Sequence, residues 1–194
     1  MPRIAQDSLW SLERYHKERP AFRARVIAHK KARTLHLGEH LTLLFEDELT
    51  IRYQVQEMLR VERIFEDEAI RDELATYNPL VPDGRNWKAT LLIEYAEVAE
   101  RQRMLGLLKG VEQCAYVEIA GHAPVLPIAD EDLERENDEK TSSVHFLRFE
   151  LSDTLAEALE TGAGLSAGVE HPHYRARVSP VPDTLRAALI ADLA

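Results

Sequence analysis

Carboxylates and imidazoles do chemistry when they are held where apolar groups belong, and a few positions in this chain qualify. Glu62 is the first. If the segment from Asp47 is read as a helix, Ile51, Val55, Met58, Phe65 and Ala69 follow the spacing of a core-facing stripe, and Glu62 fills its one gap. A carboxylate there must be neutral, paired or at the edge of a cavity, because an unpaired buried charge costs several kcal/mol. It reads either as half of an ion pair with an arginine of the N-terminal segment or as a metal ligand or general base. His145 lies on the clearest strand of the chain, and His171 and His173 flank Pro172. Together Glu62, His145, His171 and His173 form the candidate metal set, with donors suited to iron or zinc. The competing readings are a satisfied core histidine at 145 and a surface turn at His171-Pro172-His173.

The second candidate set would bind a ligand through charge. Asn78-Pro79-Leu80-Val81-Pro82-Asp83-Gly84 is stiffened by two prolines, and Asp83, Arg85, Asn86 and Lys88 cluster at its exit, before a buried strand. Arg52, Arg60 and Arg63 on the preceding helix could complete an anion pocket, with Glu57 as counter-charge. The ligand-binding candidates are therefore Arg52, Glu57, Arg60, Glu62, Asn78, Asp83, Arg85 and Lys88. Glu13-Arg14-Tyr15-His16 matches one Glu-x-x-His unit, but a di-iron bundle needs two and the chain has no second. Phosphate loops, Cys-x-x-Cys, His-Glu-x-x-His and Gly-x-Ser-x-Gly are absent. Cys114 has no feature that would activate it and reads as a structural thiol.

The elements that must position these residues follow from period and punctuation. Asp7 or Ser8 caps a first short helix with Leu9, Leu12 and His16 on one side, and Pro20 suits the first turn of a second helix carrying Phe22, Val26 and His29. Leu35, Leu37, Leu41, Leu43 and Phe45 alternate about a turn at Gly38-Glu39, which predicts a hairpin. Residues 49–55 fit a strand or a helix; Asp47 as a cap and the run from Gln56 to Arg60 favour helix. A further helix from Glu68 to Tyr77 ends at Asn78-Pro79. Next come a buried strand at Ala89–Tyr95, a helix from Val98 closed by Gly110, a strand at Tyr116–Ile119 and a return strand from Pro124 to Ile128. Asp130 to Lys140 holds seven acids and two bases and only Leu133 as an apolar anchor, so it reads as solvated. Val144, Phe146, Phe149 and Leu151 mark a strand, Asp153–Glu160 a helix, and Ala167–Glu170 a last strand. Leu185, Leu189 and Leu193 give the tail a helix that packs on the body or on a second copy.

These elements mix without a repeating strand-helix-strand rhythm, which predicts an α+β fold: a mostly antiparallel sheet packed with helices. A chain of 194 residues fits a single domain, 1–194, made of a basic helical arm (1–33), an α+β body (34–181) and a C-terminal helix (182–194). Hydrophobic residues at 45% and charged residues at 30% exclude general disorder. One cysteine, no membrane-length apolar run and no leader-like N-terminus point to the cytoplasm. The net charge of −10 is unevenly spread: Met1 to His36 carries nine basic residues against three acidic. That arm either docks on the acidic body or binds anions or nucleic acid, and an acidic body repels a phosphate backbone.

Several runs resemble an uncharacterised bacterial domain-of-unknown-function family, family 3501. They are His29-Lys30-Lys31-Ala32-Arg33, Arg52 through Arg60, Tyr77-Asn78-Pro79 through Asp83-Gly84, Lys140 through Leu151, and Gly168-Val169-Glu170-His171-Pro172. The resemblance covers most of the chain and brings no activity or catalytic residues. It implies a setting, because such proteins resemble those encoded beside rubrerythrin-like proteins and iron–sulfur oxidoreductases, which would be the partners in redox or peroxide metabolism. The leading expectation is an accessory protein that binds a ligand or redox partner. The alternatives are a metal-dependent enzyme using Glu and His ligands, and an anion or nucleic-acid binder.

Overall fold

The computed structural model describes residues 4–132 and 135–193, so Arg3 of the basic arm and Leu133 of the acidic run lie outside the described residues. The helical arm is a 3-10 turn at Gln6–Ser8 followed by a single helix, α1 (Leu12–Lys31), where the sequence predicts two. Ser11 caps it by accepting from the Arg14 amide. Pro20 therefore sits in the helix interior instead of at a start. Its missing N–H deprives the His16 carbonyl of a partner, but both residues are exposed and water can serve. Packing holds the helix together on either side of the proline: Tyr15, Phe22 and Val26 are buried against Trp10, Leu49 and Tyr53.

β1 (Thr34–Leu37) and β2 (Leu41–Glu46) form the expected hairpin, with Gly38 at φ 73° in its turn. α2 (Glu48–Glu62) settles the strand-or-helix ambiguity. Asp47 accepts from the Thr50 amide while the Thr50 hydroxyl accepts from the Asp47 amide, a reciprocal cap that a strand lacks. α3 (Asp67–Tyr77) runs into a 3-10 turn at Asn78–Leu80. β3 (Asn86–Ile93) begins earlier than predicted, so Asn86 and Lys88 are strand residues and not loop residues.

α4 (Val98–Leu107) and a 3-10 turn at Val111–Cys114 lead into β4 (Ala115–Ile119). The predicted return strand is replaced by a crossing segment. Val125 makes one bridge to Val117, and β5 (Ile128–Ala129) joins the other sheet beside β6 (Val144–Glu150). α5 (Asp153–Glu160) precedes β7 (Leu165–His171) and an unpredicted β8 (Tyr174–Val178), and α6 (Asp183–Ala191) closes the chain's described part.

The fold is thus α+β, with the antiparallel strands split into a five-stranded sheet, β1-β2-β3-β6-β5, and a three-stranded sheet, β4-β7-β8. One face of each contributes to a shared apolar core: Leu43, Phe45, Trp87, Leu91 and Phe149 from the larger, Val117, Ile119, Ala167 and Val169 from the smaller. Gly168 is required in β7, since a Cβ there would lie 2.7 Å from the Ala176 carbonyl oxygen. α6 packs on this core, burying Leu185 and Leu189, and the Trp87 indole donates to the Leu189 carbonyl at 2.8 Å.

The helices form a second apolar cluster, in which Ile51, Val55, Leu59, Leu74 and Val81 pack with Ile4. The arm docks on the acidic body. Arg33, 2% exposed, donates to the carbonyls of Phe45 and Glu46 and pairs with Asp192, while His29 meets Asp47 at 2.5 Å. Among the described residues no helix is long and apolar enough to cross a membrane.

Candidate functional site

Glu62 is not on the core stripe. α2 packs through Ile51, Val55 and Leu59, a strict four-residue step, and ends at Arg63 in the left-handed region (φ 54°), so Glu62 and Phe65 are exposed. The expected ion pair with the arm exists one turn earlier. Both Glu57 carboxylate oxygens accept from Arg19, at 2.7 and 2.8 Å, and Glu57 also accepts from the Tyr15 hydroxyl at 2.7 Å and from Arg60. These bonds, led by Arg19, hold the Glu57 carboxyl down at about 2. Glu57 and Arg60 therefore join α1 to α2 and do not face a ligand. Glu13 pairs with Lys17, and its Glu-x-x-His neighbour His16 is exposed.

Among the four metal candidates His171 and His173 are neighbours, with ring centroids 5.8 Å apart, while Glu62 and His145 lie on other elements. Glu62 ends α2, His145 is on β6, and His171 and His173 flank the turn between β7 and β8. No group of three or more His, Cys, Asp or Glu residues able to hold a metal ion occurs among the described residues. The register decides what the sequence left open: His145 points into the core because β6 turns His145, Leu147 and Phe149 inward, with Val144 and Phe146 on the other face. Its Nδ1 lies 2.6 Å from Asp130 Oδ2, and its Nε2 lies 3.0 Å from both the Ser142 carbonyl and the Thr141 hydroxyl. Glu112, 8% exposed, stands 3.9 Å from Nδ1, and its Oε2 has no hydrogen-bond partner among the described residues. His171 is buried: Nε2 faces the Lys109 carbonyl at 3.0 Å and Nδ1 accepts from the His173 amide, so the ring braces the turn. Burial pushes the Cys114 thiol up, the direction of an unreactive sulfur.

Two clefts remain. The first, about 740 Å³, lies among Arg25, Asp47, Arg52, Asp83 and Asp192. Most of its charges are already matched within the chain. Asp47 and Asp192 pair with Arg33, Arg52 with Glu48 and Ser8, and Asp83 accepts from the Arg85 amide. Arg85 itself is exposed, and Asn78 ties the loop to Ile4 through both of its amide atoms.

The second cleft, about 710 Å³, is different in kind. Gln54 of α2, Thr76 and Tyr77 of α3, and Pro79 and Leu80 of the Asn-Pro loop face the outer side of the five-stranded sheet, where Lys88, Phe146 and Arg148 project. Lys88 and Arg148 are direct cross-strand partners. Arg148 is held by Glu131 and Glu150, and Arg135 by Asp130 and Asp132 while lying 4.6 Å above the Phe146 ring. The Lys88 ammonium, among the described residues, has no hydrogen bond or ion pair. Burial and the neighbouring Arg148 push its ammonium down from the ordinary range, and burial pushes the Tyr77 phenol up. Of the expected ligand residues, then, Lys88 faces this cleft, Arg52 and Asp83 line the other, and Glu57, Glu62 and Arg60 face neither. Tyr77, Phe146 and Arg148 were not expected; only the register between β3 and β6 puts Phe146 and Arg148 on the Lys88 face.

A two-sheet α+β protein with a helix-roofed cleft over one sheet face is the class these features define. The chain belongs to the family described as "Protein of unknown function (DUF3501)", whose model matches residues 3–193. It is similar along its whole length to a crystal structure of a novel protein of unknown function from Burkholderia pseudomallei K96243. The two share 50% identity over 100% of each chain, with a TM-score of 0.93. No curated protein matches it.

Proposed function

We propose that this protein is a ligand-binding accessory protein, and that the cleft between α3, the Asn-Pro loop and the outer face of the five-stranded sheet receives a small organic acid. The observation that carries this reading is Lys88, a half-buried ammonium with no hydrogen bond or ion pair among the described residues, in a cleft of ligand size. An ammonium withdrawn from water without a hydrogen-bond acceptor is unfavourable, and a ligand carboxylate would supply one. Tyr77, Pro79, Leu80 and Phe146 offer apolar contact for the remainder of such a ligand. The redox or peroxide setting implied by the family resemblance would then belong to the ligand or to a rubrerythrin-like or iron–sulfur partner.

Calorimetric titration with a panel of small mono- and dicarboxylates tests this. At least one should bind saturably, and Lys88→Met should weaken it about ten- to a hundredfold, the share of a charged hydrogen bond worth about 1.5–3 kcal/mol. Absence of saturable binding across the panel, or equal binding by the variant, would overturn the reading.

A further inference from the structure

Resting on that cleft being the site, we infer that its ligand is a carbonyl acid, an aldehyde or 2-oxo acid, which Lys88 holds covalently as an imine. Three features of the site point the same way. The amine makes no hydrogen bond or ion pair among the described residues, and the pull of Glu131, Asp83 and Glu150 on its protonated form is outweighed by burial and Arg148. Its cross-strand neighbour is a cation, Arg148, which disfavours a second positive charge beside it. Phe146, Leu80 and Pro79 line the same cleft with apolar surface, which also favours the neutral amine. By contrast, the arginines in the same cleft are each engaged by carboxylates.

The step is a condensation without redox change. The Lys88 nitrogen lone pair forms a bond to the carbonyl carbon, the nitrogen gives up its two protons to the carbonyl oxygen, and the oxygen departs as water. A carbon–nitrogen double bond is left in place of the carbon–oxygen one. The Tyr77 phenol, on the facing helix, lines the same cleft, so a proton-carrying hydroxyl is available on its opposite wall.

The test uses the whole protein incubated with glyoxylate and cyanoborohydride, which reduces the imine to a stable secondary amine, followed by peptide mass spectrometry. Lys17, Lys30, Lys31, Lys109 and Lys140 are internal references. Lys88 should be modified several-fold faster than any of them. Lys88→Arg, which keeps the charge and removes the nucleophile, should lose only that adduct while its thermal unfolding stays near that of the wild type. Labelling that spreads evenly over the lysines, or spares Lys88, would overturn the inference. Competition by glycolate, which has no carbonyl to condense, separates the two failures. If glycolate binds but no Lys88 adduct forms, the cleft stands and the imine falls; if neither occurs, both fall.

Discussion

Glu57 shows how one residue decides what the arm is for. Its bidentate bond to Arg19 and the Tyr15 hydroxyl turn the basic helix inward, so part of the positive charge that would suit an anionic partner is already matched. The pH consequence has a definite sign. The Glu57 carboxyl titrates near 2 when folded against 4.5 in an unstructured chain, so the folded state binds fewer protons between those values. Its contribution is complete above about pH 4.5 and lost as the pH falls toward 2. With solvent screening counted, Glu57→Gln should cost about 1–2 kcal/mol at neutral pH. Urea unfolding of both proteins should show that gap closing on acidification, and a gap unchanged from pH 7 to the acid limit would contradict the assignment. The sequence shows a carboxylate in α2 and an arginine in the arm to meet it, but the spacing selects Glu62. The four-residue step from Ile51 to Leu59 and the left-handed stop at Arg63 rotate that position out to solvent. Lys88 was legible as a candidate; its lack of a hydrogen-bonding partner was not, because that depends on Arg148 claiming Glu131 and Glu150.

At the scale of elements, the hairpin, the Asp47-capped helix and the alternating strands follow from local pattern, and the misreadings share a cause. Where a residue has two permitted roles, contacts distant in sequence choose between them. Pro20 may start a helix or sit within one, and the aromatic cluster of Trp10, Tyr15, Phe22 and Tyr53 spans it. An interior proline forfeits a hydrogen bond with nothing gained at this exposed site, so Pro20→Ala should raise stability by about 1–3 kcal/mol. A thermal melt that is unchanged or lower would show that the ring contributes something beyond its cost to α1. On β6, Val144 and Phe146 look like core residues by type, yet pairing with β3 opposes His145 to Leu91 and Phe149 to Trp87, and these face the core. Phe146 is thereby released to the cleft, beneath Arg135.

Over the whole molecule, the composition and the mixed element order foretell an α+β fold, while the division into two sheets is set by pairings such as β4 with β7, far apart along the chain. The same distance governs how the ends meet. Arg33 reaches Asp192, and Trp87, Leu185 and Leu189 close the core only when α6 is in place. A chain still being made on the ribosome therefore carries an unfinished core until α6 has been added. Ribosome-stalled chains of increasing length should stay protease-sensitive until residues 183–191 clear the exit tunnel and then become resistant abruptly; gradual resistance from the hairpin onward would contradict this. For that interval Phe45, Trp87 and Phe149 lie open to other chains, which makes the docking of α6 the step at which a newly made copy escapes aggregation and the reach of chaperones.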